Sequence, residues 1–299
     1  MAARRSSTPG YTASVSTRAA PPRPPAHDLS VDGVVTHHVD VGEGEVVVLL
    51  PGLLANHRWF SPTIAALSSG HRVLCPDLPG FGRSGKPDAS YSIPWYVAWL
   101  WRFLDDKGVA RAHLVGNSLG GQIALCAALA QPARVSRLAL VAPAGVSRWP
   151  VALVRLVEAA AHGPVAAAAL PRVPKSAVGL ALRAVFPGGD LAARFTRSYA
   201  RSLSSPDYPL FARAALRALH GSIAHPVAEA AAGLRPGALI VWGERDRVLG
   251  VAGARTLRRR APDAELLIYR DSGHCPMLDA PARFNRELTR YLEGHPVGV

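Results

Sequence analysis

Short β-rich runs alternate with helical segments along much of this chain, and the alternation constrains its fold more than any other feature. Residues 112–115 and 138–141 flank a predicted helix over residues 119–130. Further strands are predicted at 72–75, 238–242 and 265–269, and further helices at 61–68, 91–106 and 282–292. Parallel strands need such long connections, and the helices then cover both faces of the sheet. The sequence therefore predicts an α/β fold with a mostly parallel central sheet.

The N-terminal residues depart from this pattern. Residues 1–28 contain four arginines and five prolines with few large apolar side chains, so we expect a disordered basic arm. No apolar stretch follows Arg4-Arg5, which argues against a secretory signal, although the Arg, Ser and Ala content also fits an organelle transit peptide. After the arm, β-rich runs at 34–41 and 45–50 are separated by Gly42-Glu43-Gly44, which predicts a β-hairpin.

The alternation stops between residues 147 and 233. This segment is rich in Ala, Leu and Arg, contains no convincing β-rich run and is punctuated by prolines. It is predicted to form several short helices inserted between two strands of the sheet. The predicted organisation is therefore the arm at 1–28, a core built from 29–146 and 234–299, and a helical cap at 147–233.

The charge and the cysteine content bear on partners and compartment. The net charge of the 299 residues is +13, carried almost entirely by arginine, which raises nucleic acid or an anionic membrane surface as a partner. The arginines are scattered and no nucleic-acid-binding pattern accompanies them, so we predict a solvated basic surface and no nucleic acid partner. No apolar run is long enough to predict a transmembrane segment. Three cysteines without C-x-x-C spacing predict a reducing, cytoplasmic location without disulfides.

The residues around Ser118 predict a nucleophile. Gly116-Asn117-Ser118-Leu119-Gly120 has the pattern G-x-S-x-G, and it stands between a β-rich run and a helix. In this pattern the serine occupies a strained strand-to-helix turn, and the glycines avoid clashes there. The turn exposes the serine Oγ, and the helix N-terminus helps to stabilise developing negative charge. The context on both sides makes the pattern far more specific than the three fixed residues alone.

Five motifs in order resemble the α/β-hydrolase family. Ser118 within GNSLGG is followed by Asp246 within WGERD and by His274 within DSGHCP, and Ser-Asp-His is the chain order of that fold. Two earlier stretches, LLPGL at 49–53 and DLPGFGRSG at 77–85, are also similar to family motifs. The resemblance extends over about residues 32 to 295 and places the insertion at the position of the family's cap.

The resemblance implies a catalytic triad. Ser118 would attack the substrate, and His274 would take its proton and later deliver it to the leaving group. Asp246 would orient the imidazole and stabilise its charged form. Glu244, two residues earlier in the same loop, is the alternative acid.

The resemblance also implies an oxyanion hole made by the backbone N–H groups of Leu53 and Leu119. Pro51 stands where members of the family often have histidine, so no histidine at this position can anchor the loop that carries Leu53. Asn56-His57 follow this loop and are predicted as surface or capping residues, with a place on the pocket wall as the alternative.

Other chemistries are not predicted. Residues 80–85 fit G-x-G-x-x-G, but Pro79 and Pro87 mark a loop where a phosphate site would need a helix N-terminus, so no nucleotide cofactor is expected. No metal is expected either, since the neighbouring His37 and His38 should lie on opposite faces of a strand. Cys275 lacks a base of its own and is predicted to pack in the interior.

We therefore expect a serine hydrolase that cleaves a carboxylic ester or related acyl bond of a small hydrophobic substrate through an acyl-enzyme, without a cofactor. The alternative is a C–C bond hydrolase of a diketone-like acid, since similar GNS turns occur there and a cap arginine could hold the carboxylate. A cofactor-free haloperoxidase or an acyltransferase is a third enzyme class. A ligand-binding receptor is the non-enzyme alternative, and an intact Ser118, Asp246 and His274 argue against it.

Overall fold

The computed structural model describes residues 24–162, 205–234 and 237–298, and within these ranges it contains one eight-stranded sheet. The strands are β1 (Ala26–Val31), β2 (Val34–Val41), β3 (Val46–Leu50), β4 (Arg72–Pro76), β5 (Ala112–Asn117), β6 (Val135–Val141), β7 (Ala238–Gly243) and β8 (Glu265–Tyr269). Their order in the sheet is β1-β2-β4-β3-β5-β6-β7-β8. The first two pairs are antiparallel and the others parallel, which confirms the predicted mostly parallel sheet.

Helices cover both faces of this sheet. They are α1 (Ser61–Leu67), α2 (Ile93–Asp106), α3 (Leu119–Ala130), α4 (Val151–His162), α5 (Tyr208–Ile223), α6 (Ala252–Arg260), α7 (Pro276–Asp279) and α8 (Pro281–Leu292), with short 3-10 helices at His57–Phe60, Pro132–Arg134 and Ala230–Gly233. None of the helices in the described parts of the chain has the length and apolar character needed to cross a membrane.

The core lies on the two sides of the sheet. Along β3, Val48 and Leu50 join a buried apolar cluster with α2 and α3, whereas Val47 and Leu49 join a second cluster with α1 and α8. Because successive side chains of a strand point to opposite faces, these clusters are the two layers between sheet and helices.

The predicted hairpin of residues 34–41 and 45–50 is wrong. β2 pairs with β1 and β4, and β3 lies between β4 and β5. Four of the five residues of β3 are buried, which is typical of a strand inside a parallel sheet. Gly42 has a φ of 82° and turns the chain away from β2. A Cβ at this position would lie 2.2 Å from the carbonyl oxygen of His71, so the turn requires glycine.

A hairpin does exist one strand earlier. β1 and β2 are joined by Asp32 and Gly33, whose φ angles of 46° and 78° fit a two-residue type I′ turn. The predicted arm at 1–28 is therefore too long, because Ala26, His27 and Asp28 belong to β1. All three residues are exposed, so the sequence carries no pattern of buried apolar residues that would have predicted this end of the strand. Residues 1–23 of the arm lie outside the described residues.

Two helices of the predicted cap, α4 and α5, lie between β6 and β7 in the chain and pack against each other. α5 also lies close to the core. A Cβ on Gly221 would lie 2.7 Å from the carbonyl oxygen of Tyr91, and one on Gly80 would lie 2.8 Å from the Cβ of Ala214. These glycines therefore let α5 approach the segment before α2 closely. Residues 163–204 of the predicted cap lie outside the described residues.

Hydrogen bonds and an ion pair reinforce the contact between α5 and the core. Nε2 of Gln122, on α3, donates to the carbonyl oxygens of Ser222 (3.0 Å) and His225 (2.7 Å). The Ser222 hydroxyl donates in return to Oε1 of Gln122 at 2.6 Å. Arg217 of α5 forms an ion pair with Asp88. α5 is thus fixed to the helix that follows β5, at the C-terminal edge of the sheet.

Candidate active site

Ser118 occupies a sharp turn between β5 and α3. Its φ of 54° and ψ of −117° are strained for a residue with a side chain. A Cβ on Gly116 would lie 2.3 Å from the carbonyl oxygen of Gly120, and one on Gly120 would lie 2.1 Å from that of Leu50. Close backbone contacts therefore require both glycines of the G-x-S-x-G pattern, and the turn faces the C-terminal edge of the sheet.

His274 and Asp246 come from two neighbouring loops. Asp246 follows β7 and His274 follows β8, so the parallel strands bring both side chains to the same edge of the sheet. His274 Nδ1 lies 2.9 Å from Asp246 Oδ2, and both side chains are buried. This contact fixes the orientation of the imidazole ring.

The two candidate acids lie in different environments. The side chain of Glu244 is exposed, and its backbone N–H donates to the carbonyl oxygen of Tyr269 at 2.9 Å. Asp246 is buried, and its Oδ1 accepts from the backbone N–H groups of Val248 (2.8 Å) and Leu249 (3.1 Å). Asp246, rather than Glu244, therefore contacts His274.

Hydrogen bonds keep the Asp246 carboxyl ionised. Burial opposes ionisation, but the hydrogen bond and charge of His274 and the N–H groups of Leu249 and Val248 outweigh it and lower the pKa of Asp246. A carboxylate held in this state stabilises a positive charge on the adjacent imidazole.

Ser118 and His274 line the same cavity, of about 240 Å³. Asn117 and Ser222 are the other polar residues of its described wall. The remaining wall residues are apolar or glycine: Gly52, Leu53, Leu54, Trp59, Leu119, Ala144, Gly145, Trp149, Leu219, Ile223, Val248 and Leu249. The cavity thus brings a serine hydroxyl and a buried imidazole together in mostly apolar surroundings.

Both predicted oxyanion residues lie on this wall. Leu119 is the first residue of α3, so its N–H lacks a partner within the helix. Leu53 lies in a tight loop in which the N–H of Ala55 donates to the carbonyl oxygen of Gly52 at 3.1 Å. A Cβ on Gly52 would lie 3.1 Å from the Cβ of Ser118, so the loop passes directly beside the serine.

Sequence reasoning missed the contacts of Asn117. Its Nδ2 donates to the carbonyl oxygens of Val141 (3.1 Å) and His274 (3.2 Å), so it links the end of β5 to the loop that carries the imidazole. The motif gave no signal, because this position is variable in G-x-S-x-G. Neighbouring Cys275 is buried, and burial raises the pKa of its thiol well above the ordinary value, which fits the predicted packing role.

His57 contacts a buried carboxylate that the sequence did not indicate. Asn56 caps the following 3-10 helix as predicted, accepting from the N–H of Arg58 at 3.0 Å, but His57 instead lies against Asp77. His37, His57 and Asp77 each bring one potential metal-ligand atom within 4.8 Å of the others. Both oxygens of Asp77 already accept backbone N–H groups, so this carboxylate is satisfied by hydrogen bonds.

Comparison with known proteins gives the same fold. A probable hydrolytic enzyme from Pseudomonas aeruginosa PAO1 superposes with a TM-score of 0.78 at 24% identity, covering 89% of this chain and 94% of that chain. An esterase from Exiguobacterium antarcticum superposes with a TM-score of 0.75 at 21% identity, covering 89% of this chain and 98% of that chain.

Sequence comparison extends this likeness. The 2-hydroxy-6-oxononadienedioate/2-hydroxy-6-oxononatrienedioate hydrolase of Burkholderia vietnamiensis is 27% identical over 278 residues, which cover 86% of this chain and 90% of the relative. The family model described as alpha/beta hydrolase fold matches residues 45–281, well over half of the chain. On this match and the sheet order, the chain belongs to the α/β-hydrolase fold family.

Proposed function

We propose that this α/β hydrolase is a serine hydrolase that cleaves a carboxylic ester of a small hydrophobic substrate through an acyl-enzyme. The observation that carries the proposal is the shared cavity of Ser118 and His274, with Asp246 bonded to the far side of the imidazole at 2.9 Å. A nucleophile, a base and a group that orients the base are the three parts that acyl transfer needs.

The reaction follows from the roles of these three residues. Ser118 Oγ attacks the ester carbonyl while His274 Nε2 accepts the hydroxyl proton, and Asp246 stabilises the imidazolium through Nδ1. The carbonyl oxygen becomes an oxyanion that accepts from the N–H groups of Leu53 and Leu119. Collapse of this tetrahedral intermediate breaks the bond between the acyl carbon and the alcohol oxygen, and the alcohol takes the proton from His274. Water then attacks the acyl-enzyme with His274 again as base, and release of the acid regenerates the Ser118 hydroxyl.

The wall of the cavity supports a hydrophobic, uncharged substrate. Leu219 and Ile223 stand one helical turn apart on α5, and Trp59 and Val248 also line the cavity. Each methylene group transferred from water into such surroundings gains about 0.8 kcal/mol. Within the described ranges the wall contains no Arg or Lys side chain.

C–C bond hydrolysis is the second candidate, favoured by the likeness to the Burkholderia vietnamiensis hydrolase over 86% of this chain. The substrates in the name of that relative are dicarboxylic acids. A buried carboxylate requires a cationic or hydrogen-bonding partner. The described part of the wall is mostly apolar and contains no Arg or Lys side chain to pair with a carboxylate, and this contrast supports the ester as the substrate class.

Active-site labelling tests the proposal. A fluorophosphonate probe should label the wild-type protein, and Ser118→Ala should abolish the labelling and lower ester turnover by several orders of magnitude. Cys275→Ala is the matched control, because Cys275 adjoins His274 yet has no base, and it should keep most of the activity. Labelling that survives Ser118→Ala and is lost in Cys275→Ala would contradict the assignment.

A substrate panel separates the two reactions. Wild-type protein should hydrolyse p-nitrophenyl esters faster than a dienoate C–C substrate of the meta-cleavage type. The reverse preference would replace the ester proposal with the C–C one while leaving the role of Ser118 intact.

A further inference from the structure

We propose that His57 and Asp77 are positioning residues that hold the loop carrying the Leu53 N–H group and so set the geometry of the oxyanion hole. The inference rests on the proposed function, because an oxyanion hole matters only if Ser118 performs acyl transfer.

Asp77 holds the C-terminal end of this loop through two contacts with His57. Its Oδ1 accepts from the backbone N–H of His57 at 2.7 Å and lies 2.8 Å from His57 Nδ1. The side chain of Asp77 is only 1% exposed, so these bonds are made away from water, where they are stronger. His57 is thereby fixed through both its backbone and its ring.

The other oxygen of Asp77 fixes the carboxylate itself. Oδ2 accepts from the backbone N–H of Arg83 at 2.8 Å, within the turn that follows β4. A Cβ on Gly82 would lie 2.1 Å from this oxygen, so the glycine with φ of 53° leaves the space that the carboxylate fills. A carboxylate held on both sides can serve as a rigid anchor.

The loop needs such an anchor because its own conformation is strained. Leu54, next to Leu53, has φ of 64°, a left-handed conformation that costs free energy for a residue with a side chain. Strained residues persist only when their surroundings hold them in place. Pro51, at the start of the loop, has neither an N–H nor a polar side chain that could hold the loop by a hydrogen bond. The contact between His57 and Asp77 holds the loop at its other end.

The location of His57 argues against a direct catalytic role. Trp59 lines the described part of the cavity, but His57 does not, so its ring does not face the reacting atoms. Its partner Asp77 has no exposed oxygen to offer a substrate. The pair therefore acts on the reaction through the position of the Leu53 N–H.

Substitutions at His57 separate this role from a purely structural one. His57→Asn keeps an N–H donor near the position of Nδ1, whereas His57→Leu removes it. Loss of one oxyanion donor costs about 10²- to 10³-fold in kcat, so a displaced donor should cost about 10- to 100-fold. We expect His57→Leu to lower kcat by about 10- to 100-fold with little change in KM, and His57→Asn to restore most of the loss.

A transition-state analogue gives an independent measurement. A trifluoromethyl ketone forms an oxyanion on Ser118, so its Ki should rise in His57→Leu by about the same factor as kcat/KM falls. Asp77→Asn presents an N–H₂ group toward backbone donors and should have a larger effect of the same kind.

His113 supplies the matched control. It is a buried histidine paired with Glu45 at 3.3 Å, but it lies on β5 at the opposite edge of the sheet from Ser118. His113→Leu should leave kcat and the analogue Ki within about twofold of wild type. Equal kcat losses in His57→Leu and His113→Leu, or a loss that appears in KM alone, would overturn the positioning role. If wild-type protein neither labels at Ser118 nor hydrolyses esters, the proposed function itself fails.

Discussion

Replacing Gln122 by leucine should weaken the attachment of α5 to the core. The Gln122 side chain is fully buried, and its amide makes the three hydrogen bonds that join α3 to the C-terminal end of α5. Leucine has nearly the same length but cannot donate or accept. The Ser222 hydroxyl would then lose its partner inside the protein, whereas the Ser222 carbonyl oxygen keeps the backbone N–H of His225 at 3.2 Å.

The magnitude follows from the number of groups left without a partner. A buried polar group without a hydrogen bond costs about 1–3 kcal/mol. One such group, the Ser222 hydroxyl, less the small gain from burying an apolar side chain, gives a loss of about 1–2 kcal/mol in the free energy of unfolding. The carbonyl group of His225 is left out of this sum because the residue is only half-buried and can bind water. The thermal midpoint should fall by about 2–8 °C.

Urea unfolding and a thermal scan measure the loss, and the same helix offers a control. Gln131 caps the end of α3 and is exposed, so Gln131→Leu should change the free energy of unfolding by less than about 0.5 kcal/mol. Ser222→Ala should destabilise by less than Gln122→Leu, and the double variant should lose less than the sum of the two. Equal stabilities of the Gln122 and Gln131 variants, or additive losses at Gln122 and Ser222, would refute the reasoning.

Three further outcomes can be measured. Removal of residues 1–23 should leave the thermal midpoint unchanged. Removal of residues 1–31 deletes β1 with its buried Val31 and should lower the midpoint, and equal midpoints of the two variants would contradict a role of β1 in stability. Burial lowers the pKa of His38 and His113 below their ordinary value of 6.5, so their contribution to stability is full above that pH and is lost as the pH falls below it. The urea midpoint should therefore drop as the pH is lowered through 6.5, and His38→Gln should reduce the drop; an unchanged drop in that variant would contradict the assignment. Specificity constants should rise from acetyl to medium-length p-nitrophenyl esters and fall for long chains, because the cavity holds about 240 Å³; a steady decline from acetyl would contradict the apolar-wall argument.

Local patterns carried most of what the sequence could predict. Helix α3 has the predicted bounds Leu119–Ala130, because apart from Gln122 it consists of apolar residues and glycines and lies between the Ser118 turn and the proline at 132. The family motifs also indicated Leu53 and Leu119, which both line the cavity of Ser118, since each stands at a fixed distance from a glycine in a strand-end loop. Those features depend on neighbours in the chain, which a sequence shows directly.

Pairing between distant residues was beyond the sequence. Gly42-Glu43-Gly44 resembles a hairpin turn, and only the burial of β3 on both faces explains why β4 comes between β2 and β3. His57 and Asp77 are 20 positions apart, and no sequence pattern around either residue indicates that the two are in contact. Ser118, Asp246 and His274 were predicted from their order in the chain. The contact of His274 with Asp246 instead of Glu244 depends on which carboxylate the loop after β7 buries.

The attachment of α5 has a consequence for protein engineering. Gly80, Gly221 and Gln122 fit α5 to its own core so closely that a foreign helix with larger side chains at these contacts would collide with it. A chimaera that exchanges all of residues 147–233 would therefore combine a foreign helix with a core that is shaped to fit α5. Grafts should leave residues 205–234 in place and join the donor sequence before them, so that α5 keeps its contacts with the core and its place in the cavity wall.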